Sequence, residues 1–200
     1  MSKTADEATL KFYDHEAEKY CERTGAVPTP TLGEFLNRLP RSATILELGC
    51  GSGRDSAEML RQGYNVLATN GSPKMAREAE RHLNRPVAVL EFGNIKGEAK
   101  FDGVWASASL LHIPIEHLGD VVARIHRIMR SNGLLFASFK AGEREGRDKF
   151  GRYYNYLSPI RLRTIFEQAA LWASLEIQEA PGMGYDGVSV TWLNCTAIKV

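Results

Sequence analysis

The sequence predicts an α/β protein built around a doubly wound, mostly parallel sheet. Three observations carry this. The apolar run Ile45-Leu46-Glu47-Leu48 ends in Gly49, Gly51 and Gly53, and Ser56, Ala57, Met59 and Leu60 follow at helical spacing. This reads as strand, tight turn and helix, the opening of a nucleotide-binding βαβ unit. Five short apolar runs then alternate with helical patterns, which argues for parallel strands joined by crossover helices. Two strand-like runs close the chain, and a hairpin of these supplies an antiparallel member at the sheet edge.

The elements follow in order. Residues 5–22 are polar but helical, with Leu10, Tyr13, Ala17 and Tyr20 on one face. Two roles fit: a surface helix packing two tyrosines, or a lid. After a proline-bearing break at 25–30, Thr29 as N-cap and Pro30 at the first helical position open a helix. Leu32, Phe35, Leu36 and Leu39 face inward and Pro40 ends it. Strand one covers 44–48. Its helix runs from about Arg54 to Gln62, with Gly63 in the position that tolerates a left-handed backbone. Strand two covers 65–69 and ends in Asn70-Gly71-Ser72-Pro73, and Pro73 starts a helix through Met75, Ala76, Ala79 and Leu83. Strand three covers 86–91 and strand four 101–107. Ile115, Leu118, Val121, Val122, Ile125, Ile128 and Met129 make the cleanest amphipathic helix, which Ser131-Asn132-Gly133 stops. Strand five covers 134–139. Residues 140–152 form a charged, glycine-punctuated loop, followed by Tyr153-Tyr154-Asn155-Tyr156. Ser158 caps and Pro159 opens the last helix, through Leu162, Ile165, Phe166 and Ala169, before strands at 172–177 and 189–198.

Composition narrows the function. A formal net charge of +1 gives no electrostatic case for nucleic acid or an anionic membrane. No apolar run is long enough to span a bilayer. The first seven residues lack the apolar core of a signal peptide. Cys21, Cys50 and Cys195 are scattered, without metal-ligand spacing, and read as reduced thiols of a cytoplasmic protein. His112 and His117 are five apart and do not share a helix face as a metal pair would.

Glycine spacing separates candidate ligands. Without Cβ atoms the backbone turns sharply and lies against a ligand, and the following helix N-terminus offers free N–H groups. A dinucleotide fingerprint needs a third glycine at its sixth position, which is Arg54 here. A GxxxxGK[ST] phosphate loop is also absent. Glu47-Leu48-Gly49-Cys50-Gly51-Ser52-Gly53 instead resembles motif I of the class I S-adenosylmethionine-dependent methyltransferases. Tyr64-Asn65-Val66-Leu67-Ala68-Thr69-Asn70-Gly71-Ser72-Pro73-Lys74-Met75, Trp105-Ala106-Ser107-Ala108-Ser109-Leu110-Leu111-His112-Ile113-Pro114, and Gly151-Arg152-Tyr153-Tyr154 with Trp192-Leu193-Asn194 extend the likeness. Together they are similar to small bacterial members often labelled tellurite-resistance-like.

The resemblance implies a Rossmann-like, seven-stranded sheet whose last strand is antiparallel. It implies one domain over residues 1–200, with 1–40 as an N-terminal lid segment and 41–200 as the core. It assigns the methionine end of the cofactor to Glu47, Gly49, Cys50, Gly51 and Gly53, with Tyr20 reaching in from the lid. Asn70, with Gly71, takes the ribose. That position is usually Asp or Glu; an amide accepts one hydroxyl and donates to another, and loses charge-assisted strength. Met75 points to the adenine or fills core, Glu91 accepts from adenine N6, and the Phe92 N–H donates to N1. Ser107 and His112 sit at the transferable methyl. His112 is the best general-base candidate, because its ordinary pKa is near neutral; a structural hydrogen-bonding role is the alternative. Arg147, Arg152 and Tyr154 suit an anion-binding substrate side, although solvation alone explains charges in such a loop. The sulfonium is already activated, so no metal is expected.

The function expected is methyl transfer to a small-molecule acceptor by a cytoplasmic monomer or homodimer without nucleic-acid or membrane partners. A regulatory or cofactor-binding protein with a weakened site is one alternative. A nucleic-acid or protein methyltransferase is another. An NAD-linked oxidoreductase is disfavoured by Arg54.

Overall fold

The computed structural model describes residues 4–25 and 27–200. Residues 1–3, part of the stretch read for a signal peptide and of the 1–40 segment, and Ala26, in the proline-bearing break, lie outside the described residues.

The N-terminal stretch is two helices, α1 (Glu7–His15) and α2 (Ala17–Thr24), where the pattern suggested one. Glu16 leaves the helical region between them, and the bend brings the Tyr13 and Tyr20 rings edge to face at 5.3 Å. Asp6 caps α1 by accepting the Thr9 N–H at 2.8 Å. The next helix, α3 (Leu32–Asn37), begins later than expected. Thr29 does not cap it through its side chain, because its N–H and hydroxyl both donate to Asp55, each at 2.7 Å.

The alternating region follows the predicted order: β1 (Thr44–Leu48), α4 (Arg54–Arg61), β2 (Asn65–Asn70) and α5 (Pro73–Leu83), with Ser72 capping α5. Strand β3 is only Ala88–Val89; both residues are exposed on the sheet edge, and two register pairs with β2 suffice. Then come β4 (Phe101–Ala106) and α6 (Ile115–Ile128). Strand β5 (Met129–Lys140) starts five residues early, directly after α6. Asn132, expected to stop the helix, takes a left-handed φ of +61° inside the strand, where the register with β4 shifts. The charged loop contains a small hairpin, β6 (Gly146–Arg147) with β7 (Tyr153–Tyr154). Helix α7 (Pro159–Ala169) is capped by Ser158, as the sequence indicates. A long hairpin of β8 (Trp172–Met183) and β9 (Ser189–Lys199) closes the chain.

The seven-stranded sheet runs β3-β2-β1-β4-β5-β9-β8. The five N-terminal members are parallel, and β9 is antiparallel to both neighbours. The last strand of the chain is thus one in from the edge, and β8 is the edge. One face is covered by α6 and α7, with Leu118, Val121, Val122, Ile125 and Phe166 against Leu135, Ala137 and Phe139. Leu32, Phe35, Leu36 and Met59 cover the other face at Trp105 and Phe136, whose rings stack at 4.2 Å. Full burial of each large apolar side chain contributes about 1.5–3 kcal/mol. The connection leaving β1 goes to one side and β4 lies on the other, so the switch point sits at the C-terminal ends of β1 and β4, where such sheets bind ligands. No helix among the described residues is long and apolar enough to cross a membrane.

Candidate functional site

The loop after β1 is shaped by its glycines. Gly49 and Gly51 hold φ of +77° and +56°. A Cβ on Gly49 would lie 2.7 Å from Ser109 Cβ, so this backbone approach also requires glycine. The Gly49 and Cys50 N–H groups both donate to the Thr69 carbonyl, at 3.0 and 2.9 Å, and pin the loop to β2.

The loop forms one wall of a cleft. Of the residues singled out in the sequence, Tyr20, Glu47, Gly49, Cys50, Gly51, Asn70, Gly71, Met75, Glu91, Phe92, Ser107 and His112 line it. Gly53 does not; its Cα faces Leu83 of α5, where a Cβ would come within 3.1 Å. Arg147, Arg152 and Tyr154 are also absent from the lining.

At the glycine end, Glu47 is buried and accepts the Ser56 hydroxyl proton on Oε2. Burial first, then the nearby Asp55 charge, pushes its pKa up to about 8. Asp55 was not singled out by sequence reasoning. It accepts Trp105 Nε1–H at 2.9 Å besides its two bonds from Thr29. A mid-strand tryptophan that needs an acceptor was the available signal. The Ser52 and Ser109 hydroxyls, also not foreseen, are buried in the cleft wall and have no hydrogen-bond partner among the described residues. Asn70 Oδ1 accepts the Ser72 N–H at 3.0 Å, which keeps one further lone pair and the amide donors for other partners.

After β4, one turn beyond Ser109, His112 is buried. Its Nδ1 is 2.6 Å from the Tyr153 carbonyl. A carbonyl only accepts, so Nδ1 carries the proton and Nε2 accepts from the Tyr13 hydroxyl at 2.9 Å. Burial pulls the imidazole pKa down to about 3, so it is neutral at pH 7. Burial likewise pushes the Tyr13 phenol above its usual value.

The three residues expected on the substrate side hold structure instead. Arg147 pairs with Asp6, the cap of α1, at 2.7 and 2.9 Å, and this bond drives the Asp6 pKa down to about 2. Arg152 is buried and pairs with Asp148 through Nε and Nη2 at 2.9 and 2.7 Å. Tyr154 is buried beside His112, with the Lys140 ammonium 4.1 Å from its ring centre. On the opposite side of the cleft, Asp14 of α1 accepts from the Ser72 hydroxyl at 2.8 Å and the Lys74 N–H at 3.0 Å. The N-terminal helices are therefore seated on both flanks of the cleft.

Residues 46–137, from the glycine loop to the middle of β5, match the family model described as a methyltransferase domain. Over those residues the chain is similar to methyltransferase domains. An uncharacterised methyltransferase of Synechocystis is 28% identical over 94 residues, 45% of this chain and 43% of that protein. The ubiquinone biosynthesis O-methyltransferase of Xylella fastidiosa is 24% identical over 159 residues, 69% of this chain and 64% of that protein. The chain thus matches less than two thirds of the length of either curated relative. The crystal structure of the Burkholderia thailandensis 1,6-didemethyltoxoflavin-N1-methyltransferase, with 1,6-didemethyltoxoflavin and S-adenosylhomocysteine bound, superposes with a TM-score of 0.74 at 24% identity, covering 96% of this chain and 88% of that one. The match reaches the methyltransferase class and stops short of the tellurite-resistance-like subtype.

The cleft fits an S-adenosyl ligand on its own chemistry. It offers two unpartnered buried hydroxyls, a buried carboxyl able to ionise against an ammonium, and a donor-acceptor amide at the end of β2.

Proposed function

We propose that this protein transfers the methyl group of S-adenosylmethionine to a small-molecule acceptor. The observation that carries the reading is the Tyr13–His112 pair, in the wall of the same cleft as Glu47 and the glycine loop. Bound S-adenosylmethionine supplies an electrophilic methyl carbon, so the protein's work is alignment, exclusion of water and proton handling.

Glu47, Gly49, Cys50 and Gly51 hold the methionine end, joined by the Ser52 and Ser109 hydroxyls. Asn70 and Gly71 take the ribose, and Met75, Glu91 and Phe92 the adenine. Ser107 and His112 flank the reacting centre. The acceptor's proton passes to Tyr13 Oη as the Tyr13 proton passes to His112 Nε2, along the hydrogen bond that joins them. Helices α1 and α2 act as the lid over a single domain, with Tyr20 reaching the cleft from them, and the lid is shorter than the expected 1–40 because α3 packs into the core. The net charge of +1 supports a small acceptor over nucleic acid, and a cytoplasmic monomer or homodimer is consistent with the composition.

The test combines methyl-labelled S-adenosylmethionine with a panel of hydroxy-, amino- and thiol-bearing aromatic and aliphatic acceptors. Label should appear in one class. His112→Ala should abolish transfer and leave S-adenosylhomocysteine affinity unchanged. Failure of S-adenosylhomocysteine to bind at millimolar concentration refutes the reading. Asn70 favours one second reading, a regulatory protein that binds the cofactor without turnover; tight binding with no label transferred to any acceptor would support it.

A further inference from the structure

Arg152 is a charged side chain sealed in the protein, and its surroundings are specific. Its guanidinium carbon lies 4.9 and 5.7 Å from the ring centres of Phe12 and Tyr13 on α1. It lies 5.6 and 5.4 Å from Phe150 and Tyr154 of the 146–154 hairpin, and 4.9 Å from Tyr185 in the turn between β8 and β9. Three separate stretches of chain therefore meet on one guanidinium. Asp148 takes Nε and Nη2, and Nη1 donates to Tyr13 Oη at 3.1 Å.

That last bond has a directional consequence. Tyr13 Oη has one proton. Receiving the Arg152 N–H on a lone pair, it turns its own proton to His112 Nε2. The opposite polarity is closed, because His112 Nδ1–H is committed to the carbonyl of Tyr153, the neighbour of Arg152 in sequence. The 148–153 segment thus fixes both nitrogens of His112. Stability alone does not account for the arrangement, since a buried ion pair is commonly matched or exceeded by apolar packing of the same volume.

We propose that Arg152, held by Asp148, is a positioning residue that points the Tyr13 hydroxyl at His112 and seats the N-terminal helices over the cleft. Its importance for catalysis rests on the methyl-transfer reading; the seating does not.

The experiment uses the full chain with Arg152→Met and Arg152→Lys. Three quantities are read: amide hydrogen exchange, the NMR titration of the His112 ring, and calorimetric binding of S-adenosylhomocysteine. His112 is faced by Tyr13 from α1 and Tyr154 from β7, with Arg152, Lys140 and Asp148 as the further charged groups around it. In Arg152→Met, amides of α1 and α2 should lose about a hundredfold in protection, the scale on which removing one partner of a buried ion pair acts. The His112 titration should move up from about 3 towards the ordinary histidine range as the lid admits water. Arg152→Lys should restore part of the helix protection, but less of the His112 shift, because an ammonium lacks the fork that serves Asp148 and Tyr13 together. Unchanged helix protection and an unchanged His112 titration in Arg152→Met overturn the proposal. So does a uniform loss of protection that includes β1, β4 and β5, which marks a purely structural role. If the unaltered protein does not bind S-adenosylhomocysteine, the methyl-transfer reading fails while the exchange and titration data still decide the role of Arg152.

Discussion

On the proposed reading, Glu47 makes cofactor binding a proton-releasing event. Its carboxyl is buried, and burial together with Asp55 raises its pKa to about 8. At pH 7 the ligand-free protein therefore keeps this proton in about nine molecules of ten. A ligand that sets an ammonium against Glu47 favours the carboxylate. Binding of S-adenosylhomocysteine, which carries the same ammonium without reacting, should then expel about 0.9 proton at pH 7 and about 0.5 at pH 8. The observed affinity should rise about fivefold over the same interval. Calorimetric titration in buffers of different ionisation enthalpy reads the proton count directly as the slope of observed heat against buffer enthalpy. Glu47→Gln should abolish both the slope and the pH dependence. A buffer-independent heat at pH 7 in the unaltered protein would refute the reasoning, and so would a slope that survives in Glu47→Gln.

The same shift governs stability without ligand. An unfolded Glu47 releases its proton near the usual 4.5 and the folded one near 8, so stability falls as pH rises between these values, at about 1.4 kcal/mol per pH unit. Glu47→Gln should then be more stable than the parent by about 3 kcal/mol at pH 7 and equal to it below pH 4.5, measured by urea unfolding across pH; a pH-independent difference would count against it. Asp55→Ala leaves the Thr29 N–H, the Thr29 hydroxyl and the Trp105 indole N–H without their acceptor and should cost about 3–6 kcal/mol. Asp55→Asn, which keeps an oxygen, should recover part of this, and a loss below about 1 kcal/mol in the alanine variant would show that the donors find other partners. Asn70→Asp should tighten S-adenosylhomocysteine about tenfold by making the ribose contact charge-assisted; unchanged affinity would remove the ribose from this position.

Features set by neighbours in sequence were legible. Pro73 and Ser158-Pro159 marked helix starts, the glycine loop marked the turn after β1, and in a doubly wound order the ends of β1, β2 and β4 had to converge on one crevice. Features set by distant partners were not. Thr29 looks like a helix cap until Asp55, 26 residues on, takes both its donors. Asn132-Gly133 looks like a helix stop, yet the left-handed turn it favours is absorbed within β5. Arg147 meets Asp6 across 141 residues, and the charge of an arginine does not announce its partner. The lid side of the cleft shows the same limit. Tyr13 was visible as one member of an apolar helix face, but its bond to His112 exists only because α1 folds back over the sheet.

One physical theme joins Glu47 and His112. Glu47 and His112 are both shifted chiefly by burial, and in opposite directions, so that both are uncharged at pH 7. Two arginines that meet α1 are paired with carboxylates, Arg147 with Asp6 and Arg152 with Asp148. Charge on Glu47 and His112 is thus latent. An uncharged imidazole keeps the Nε2 lone pair that proton transfer requires, and burial achieves this against the opposing pull of Asp148. A protonated Glu47 adds no second buried anion beside Asp55 before the ligand arrives, and becomes one only when a cation is beside it. Burial, rather than a fixed charged partner, is the means that achieves both, because it penalises whichever form is ionised, and the closing of α1 and α2 over the cleft is what maintains it.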